Sequence, residues 1–274
     1  MGIHNATPDS FSDGGSYPDV NSAIDHCLQM IKDGADIIDI GGESTRPGDT
    51  SSLSAKKELN RVLPIIIKLR KTSPDCVISV DTIKPEVAKA AIESGADIIN
   101  DVSGLKYSKD TAKVAAKTGA GLILMHMKTV PKTNQYDYNY SNLLKEVSEA
   151  LIESAKLAES YGVNKNSIIL DPGLGGGTFG KSAEQSFELI SKISEIKKLE
   201  YPVLLGASRK GFLGKLINEP EPKNRLSANL AVAAYAYLKK VDIVRVHDVK
   251  ETCQFLKVFN HLYPKSMCSK HVIV

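Results

Sequence analysis

DGADIIDIGG (residues 33–42) and SGADIINDVSG (residues 94–104) are two copies of one phrase, and KTGAGLILMHM (117–127) is a looser third. Each copy sets a glycine where a helix can end in the left-handed conformation, then a short Ile/Leu/Val run, then polar residues. That is the seam between a helix and a buried strand. The strand half recurs in MGIHN, CVISVDT, NSIILDPG, YPVLLGASRK and VDIVRVHDV, which brings the strand count to eight. The runs predict strands over 1–5, 36–40, 77–81, 98–101, 122–126, 168–171, 203–207 and 243–247. Near-continuous apolar runs suit parallel strands buried on both faces. Between them lie helical faces such as Val20, Ala23, Ile24, Cys27, Leu28 and Ile31, or Val87, Ala88, Ala91 and Ile92. Eight strand-helix alternations predict an α/β fold, a single (β/α)8 TIM barrel over 1–274 with its active site at the C-terminal mouth of the strands. A doubly wound open sheet is the alternative.

Composition fits that scale. The chain has 274 residues, 42% hydrophobic and 24% charged, enough for a sizeable core. Its net charge of +3 (35 basic, 32 acidic residues) is spread without long runs, which argues against nucleic acid or acidic membrane as partner. Cys27, Cys76, Cys253 and Cys268 lie far apart, as reduced thiols of a cytoplasmic or matrix protein would. The chain starts within a strand, and the expectation is a shortened first strand or a domain cut from a longer polypeptide.

Barrel geometry turns strand ends into candidate chemistry. Singly, Asp81 and Asn100 read equally as helix caps or as ligand contacts, and Asp248 reads as the cap of the last helix. Together, Asp81, Asn100, Asp171 and Lys210 are suited to a flat heterocycle, carboxylates accepting from an amidine-like edge and the lysine donating to a ring carbonyl. Arg46, Arg245 and His247 suit a phosphate or diphosphate, although Arg245 alone reads as a rim ion pair and His247 as a core histidine. Asn5 offers a neutral oxygen to a diphosphate-bound Mg²⁺. His126 reads as a packed histidine at least as readily as a catalytic one.

GLGGGTFGKS (173–182) contains G-x-x-x-x-G-K-S, a P-loop pattern between a strand and a helix, with Lys181 and Ser182 in the phosphate and metal positions. The strand VISVD precedes it, opposite to the usual P-loop order.

Seven phrases then become specific together: NATPDSFSDGG from Asn5, GGESTRPG from Gly41, SVDT from Ser79, INDVSG from Ile99, DPG and FGK at Asp171 and Phe179, GASRKGF from Gly206, and RVHDVKET from Arg245. In order and through nearly the whole chain, they resemble the dihydropteroate synthase family. The resemblance implies a transferase that joins 6-hydroxymethyl-7,8-dihydropterin diphosphate to 4-aminobenzoate, releasing diphosphate. It implies pterin contacts at Asp81, Asn100, Asp171 and Lys210, and diphosphate contacts at Asn5, Thr45, Arg46, Arg245 and His247. Arg46, Pro47, Phe179 and Ser208 would meet the aminobenzoate; Arg46, Asp81, Lys210, Arg245 and His247 would carry catalysis; Asn5 would touch Mg²⁺. It further implies a homodimer, fusion to other folate-pathway domains in some members, and a cytoplasmic location, mitochondrial if part of a longer eukaryotic protein. Two departures stand out. His4 replaces an aliphatic residue, which is expected to weaken the first strand, and residues 176–178 are inserted into the family's D-P-G-x-G-F-G-K, creating the P-loop spacing by accident. A pterin-binding methyltransferase and a non-catalytic binding domain are the remaining alternatives.

Overall fold

A computed structural model describes residues 1–6, 19–43, 53–129 and 137–263. Eight parallel strands alternate with helices: β1 Gly2–Asn5, α1 Val20–Lys32, β2 Ile37–Gly41, α2 Ala55–Thr72, β3 Val77–Asp81, α3 Pro85–Glu93, β4 Ile98–Asp101, α4 Asp110–Thr118, β5 Gly121–Met125, α5 Leu143–Ser160 and β6 Ile168–Asp171. Then come α6 Ala183–Ser191, α7 Ile193–Lys197, β7 Leu204–Leu205, α8 Gly211–Ile217, α9 Leu226–Leu238, β8 Ile243–Val244 and α10 Val249–Leu262.

Strands β1 to β6 form one sheet in chain order, and β7 pairs with β8. Parallel bridges at Leu170–Val203 and Gly2–Val246 join the two pieces at both edges. Hydrogen bonds from Ile3 N to Val246 O and from Leu170 N to Pro202 O carry the ladder across the same seams. The ring is closed, so no sheet edge is left unpaired there.

Alternation along each strand divides the side chains into two sets. One faces the helices: Ile38, Ile40, Ile78 and Val80 pack with α1 and α2, while Leu122, Leu124, Ile168 and Leu170 pack with α4, α5 and α6. Each such fully buried side chain contributes about 1.5–3 kcal/mol. The other set points into the ring. Met1, Ile37, Val77, Ile98, Ile123, Ile169, Leu204 and Ile243, one from or beside each strand, meet in one apolar cluster. Two residues further along, the same inward face carries Asp39, Ser79, Asn100, Asp171 and Arg245. The change from Ile to polar groups marks the level where a packed floor gives way to a site.

His4 does not break the first strand. Strand β1 is laddered to β2 from Gly2 to Asn5 and to Val246 on its other side. His4 is directed away from the barrel centre, where its Nδ1 lies 3.0 Å from Nδ1 of His26 on α1. Burial, and then the neighbouring His26, hold His4 down to about 4. The unfolded side chain titrates near 6.5, so this stability is complete above that pH and is lost as pH falls toward 4. At pH 5 the loss is about 2 kcal/mol. Denaturant unfolding should show that loss between pH 7 and pH 5, and His4→Leu should flatten it; an unchanged acid dependence in the variant would count against the assignment.

Candidate active site

Arg245, just past β8, is the charge centre of the mouth. Its Nε donates to Asp39 Oδ2 at 2.6 Å and its NH2 to Asp81 Oδ2 at 2.7 Å. Asp39 Oδ2 also accepts from Asn100 Nδ2 at 3.2 Å. Four strands therefore deliver one connected polar group: Asp39 from β2, Asp81 from β3, Asn100 from β4 and Arg245 beside β8. Burial pushes the Asp81 carboxyl up to about 7 even against the pull of Arg245. Its charge is poised near neutrality.

Asp171 ends β6. Its Oδ1 accepts from Gly173 N at 2.7 Å, and its acidity is weakened first by burial and partly restored by Lys210. Lys210 precedes α8 and is lowered to about 8, again by burial. Its Nζ donates to Leu174 O at 2.7 Å and stands 4.3 Å from the centre of the Phe179 ring. Phe179 packs on Ile83, Val102, Met125 and Met127, an apolar wall beside the polar groups. Ser208 Oγ accepts from His247 N at 3.1 Å and lies 3.0 Å from His247 Nδ1. Burial and the nearby Arg209 guanidinium hold His247 down to about 3, so it is a neutral donor or acceptor at working pH. Asn5 stands exposed at the open end of β1.

Asp81, Asn100, Asp171, Ser208, Lys210, Arg245, His247 and Asn5 thus all belong to strand ends or the turns after them, and Phe179 adds the wall. Thr45, Arg46 and Pro47 lie outside the described residues, as does Cys268. Asp248 does not cap α10 with its side chain. Its carboxylate is taken by Arg209, whose guanidinium reaches both of its oxygens, because Arg209 sits in the left-handed region at φ 58° and turns its side chain toward α10. The strands also differ in length from expectation: β7 and β8 are two residues each, although Arg245 N still donates to Leu205 O and Val246 pairs with β1.

The glycine loop is no phosphate cradle. Amides at Gly175, Gly177, Gly180, Lys181 and Ser182 are already spent on Ser186 Oγ, Tyr138 OH, Gly177 O, Gly175 O and Gln185 Oε1. Lys181 is turned inward rather than toward solvent. The bond from Lys181 N to Gly175 O at 3.1 Å pinches off the inserted residues 176–178, and Phe179 still reaches Lys210. Ser182 instead caps α6, in a reciprocal box with Gln185.

Three contributors escaped the sequence reading. Asp39 interrupts the run IIDI at the inward phase set by Ile37, a signal visible in hindsight. Lys84 pairs with Glu43 and Glu58, all three largely buried. Gly173 lies at φ 62°, and a Cβ there would fall 2.2 Å from His126 O. Gly173→Ala therefore combines left-handed strain of about 1–2 kcal/mol with a backbone clash. A melting temperature lowered by several degrees is the expected outcome, and an unchanged one would deny the close approach.

A family profile described as "Pterin binding enzyme" matches residues 1–247. Dihydropteroate synthase of Synechocystis sp. is 44% identical over 263 residues, covering 96% of this chain and 89% of the relative. The chain belongs to the dihydropteroate synthase family. Within that family, the Bacillus subtilis enzyme is 43% identical, covering 97% of this chain and 88% of its own. A solved dihydropteroate synthase from Clostridium difficile, crystallised in the presence of pteroic acid, superposes with a TM-score of 0.88 at 43% identity, covering 96% and 95% of the two chains. The Xanthomonas albilineans enzyme with 4-aminobenzoic acid gives 0.87 at 38%, covering 96% and 93%. These likenesses span the closed ring described above, and the barrel is the fold of this family's solved members.

Proposed function

We propose that this chain condenses 6-hydroxymethyl-7,8-dihydropterin diphosphate with 4-aminobenzoate to give 7,8-dihydropteroate and diphosphate. The observation that carries the reading is the Asp39–Arg245–Asp81 cluster lying beside Asn100, Asp171 and Lys210 at one mouth, in a chain of this family. Asp171 and Asn100 are suited to accept from the edge of the pterin, and Lys210 to donate to its ring carbonyl. Phe179 and Ser208 then border the aminobenzoate.

In the reaction, the bond between the pterin methylene and the diphosphate oxygen breaks, and the electron pair leaves with diphosphate. The arylamine nitrogen closes the new C–N bond and gives up one proton. Arg245 and His247 would donate to the departing anion, while Asp81 and Asp171 would face the delocalised cation left behind. No strong base is needed, because the arylamine is already a neutral nucleophile. Among the described residues no group of three His, Cys, Asp or Glu side chains is placed to hold a metal. The exposed amide oxygen of Asn5 is a neutral hard donor suited to Mg²⁺; with the substrate's diphosphate it would help hold the ion, which would neutralise part of the leaving group's charge.

Assay of diphosphate release is the direct test: it must require both substrates, and release without either, or ATP hydrolysis in its place, would defeat the proposal. A pH profile adds a second. Asp81 must be ionised and Lys210 protonated in the free enzyme, so kcat/KM for the pterin substrate should rise through pH about 7 and fall beyond about 8. A flat profile between pH 6 and 9 would argue against those roles.

Exposed Leu238 on α9 and Val258 and Leu262 on α10 support pairing of two copies, which light scattering tests. The bacterial relatives support a cytoplasmic location.

A further inference from the structure

Lys181 is the largest of the fully buried side chains among the described residues. Its Nζ lies 2.9 Å from His126 Nδ1, 3.0 Å from Phe179 O and 3.4 Å from His126 O. A lysine ammonium has three N–H donors, and here it meets two carbonyl oxygens and a ring nitrogen that accepts in the tautomer protonated on Nε2. Charge so deeply buried is costly, and burial lowers the basicity of Lys181 well below the usual lysine range. A merely space-filling role is better served by leucine or methionine. What the amine joins is therefore informative.

His126 follows β5, and its backbone N donates to Asp171 O at 2.8 Å. Its carbonyl is the surface against which Gly173 is pressed. Phe179 carries the ring that lies under Lys210. A single side chain thus grips the end of β5, which supports the Asp171 turn, and the carbonyl of the aromatic residue on the opposite side of the inserted turn. We infer that Lys181 is a positioning residue that sets where the Phe179 wall stands relative to the pterin-reading carboxylate. This inference rests on the function proposed above, and it assigns Lys181 to the second substrate rather than to phosphate. Without the amine, the pinched turn at 175–181 keeps its own hydrogen bonds but loses its anchor to β5. The apolar wall then shifts, while Asp171, Asn100 and Lys210 keep their own partners.

The test uses the full chain and begins with the unaltered protein, whose diphosphate release must depend on both substrates. In Lys181→Met the KM for 4-aminobenzoate should rise about tenfold, and that for the pterin diphosphate by less than about threefold. Lys181→Arg, which retains donors, should recover part of the difference. Phe179→Leu should raise the aminobenzoate KM in the unaltered protein and add little in the Lys181→Met background. If Lys181→Met gives no cooperative melting transition, Lys181→Gln, with its shorter donor, carries the same comparison. A folded variant in which both KM values move in equal proportion, or in which only the melting temperature falls, overturns the inference. Absence of two-substrate diphosphate release in the unaltered protein overturns the functional reading itself, and this inference with it.

Discussion

Arg245→Ala is expected to lower kcat by about 10²–10³-fold while weakening pterin affinity much less. The guanidinium is shared between Asp39 and Asp81, so the substitution removes the cation proposed to face the departing diphosphate and also the counter-charge of two carboxylates. Asp81 is already held up to about 7 with Arg245 present. Without it, the Asp81 carboxyl will take up a proton more readily than stay charged in a buried place. The fold should survive, and the acid limb of the pH profile should move toward alkali as well. Single-turnover release of diphosphate separates the two effects, since it reads bond breaking after the pterin substrate is bound. A kcat within about threefold of the unaltered protein would remove Arg245 from the chemistry.

Lys84→Met should be the most damaging of these changes to stability. Lys84 lies between Glu58, whose side chain is 1% exposed, and Glu43, at 13%. Removing the cation leaves two acidic groups buried side by side, at a cost of about 3–5 kcal/mol. For a chain of this size the melting temperature should fall on the order of 10 °C. Loss should shrink at lower pH, where the Glu58 carboxyl, its acidity already weakened by burial, takes up a proton, and Glu58→Gln in the same background should restore part of it. Calorimetry across pH 5 to 8 checks both. Equal melting temperatures would mean that the triad contributes nothing. Glu43 Oε1 also accepts from Leu53 N at 2.9 Å, so the triad is joined to the described residues on both sides of 44–52.

The barrel was legible because its strands are buried on both faces and leave apolar runs that no surface helix would show. Only the ends moved: the runs locate β7 and β8, but an apolar rhythm cannot tell where regular two-strand pairing gives way to single bonds such as Arg245 N to Leu205 O. Strand-end polar residues could be picked for the same reason, as Asp171 and Asn100 were. What escaped was anything defined by a partner far along the chain. Asp39 acquires its meaning from Arg245, 206 positions away. An accident of spacing set Lys181 in a P-loop position, and its burial stayed hidden because periodicity says nothing about which way a side chain turns after a glycine. Asp248 is the N-cap residue of α10, with its carbonyl accepting from Thr252 N, but its carboxylate goes to a left-handed arginine in another loop, a partner the sequence does not reveal.

The ring of eight apolar residues beneath Asp39 and Asp171 makes the barrel a cup rather than a tube. Traffic through it is consequently one-way-in and same-way-out. Under the proposed reaction, whichever molecule sits against the bottom must arrive first, and the arylamine arriving after it acts as a stopper. Diphosphate can depart only by that same mouth, and the next pterin must wait for the product to clear. Inhibitors shaped for the bottom should therefore compete with the pterin alone, whereas those shaped for the rim should bind better once the cup is already part full.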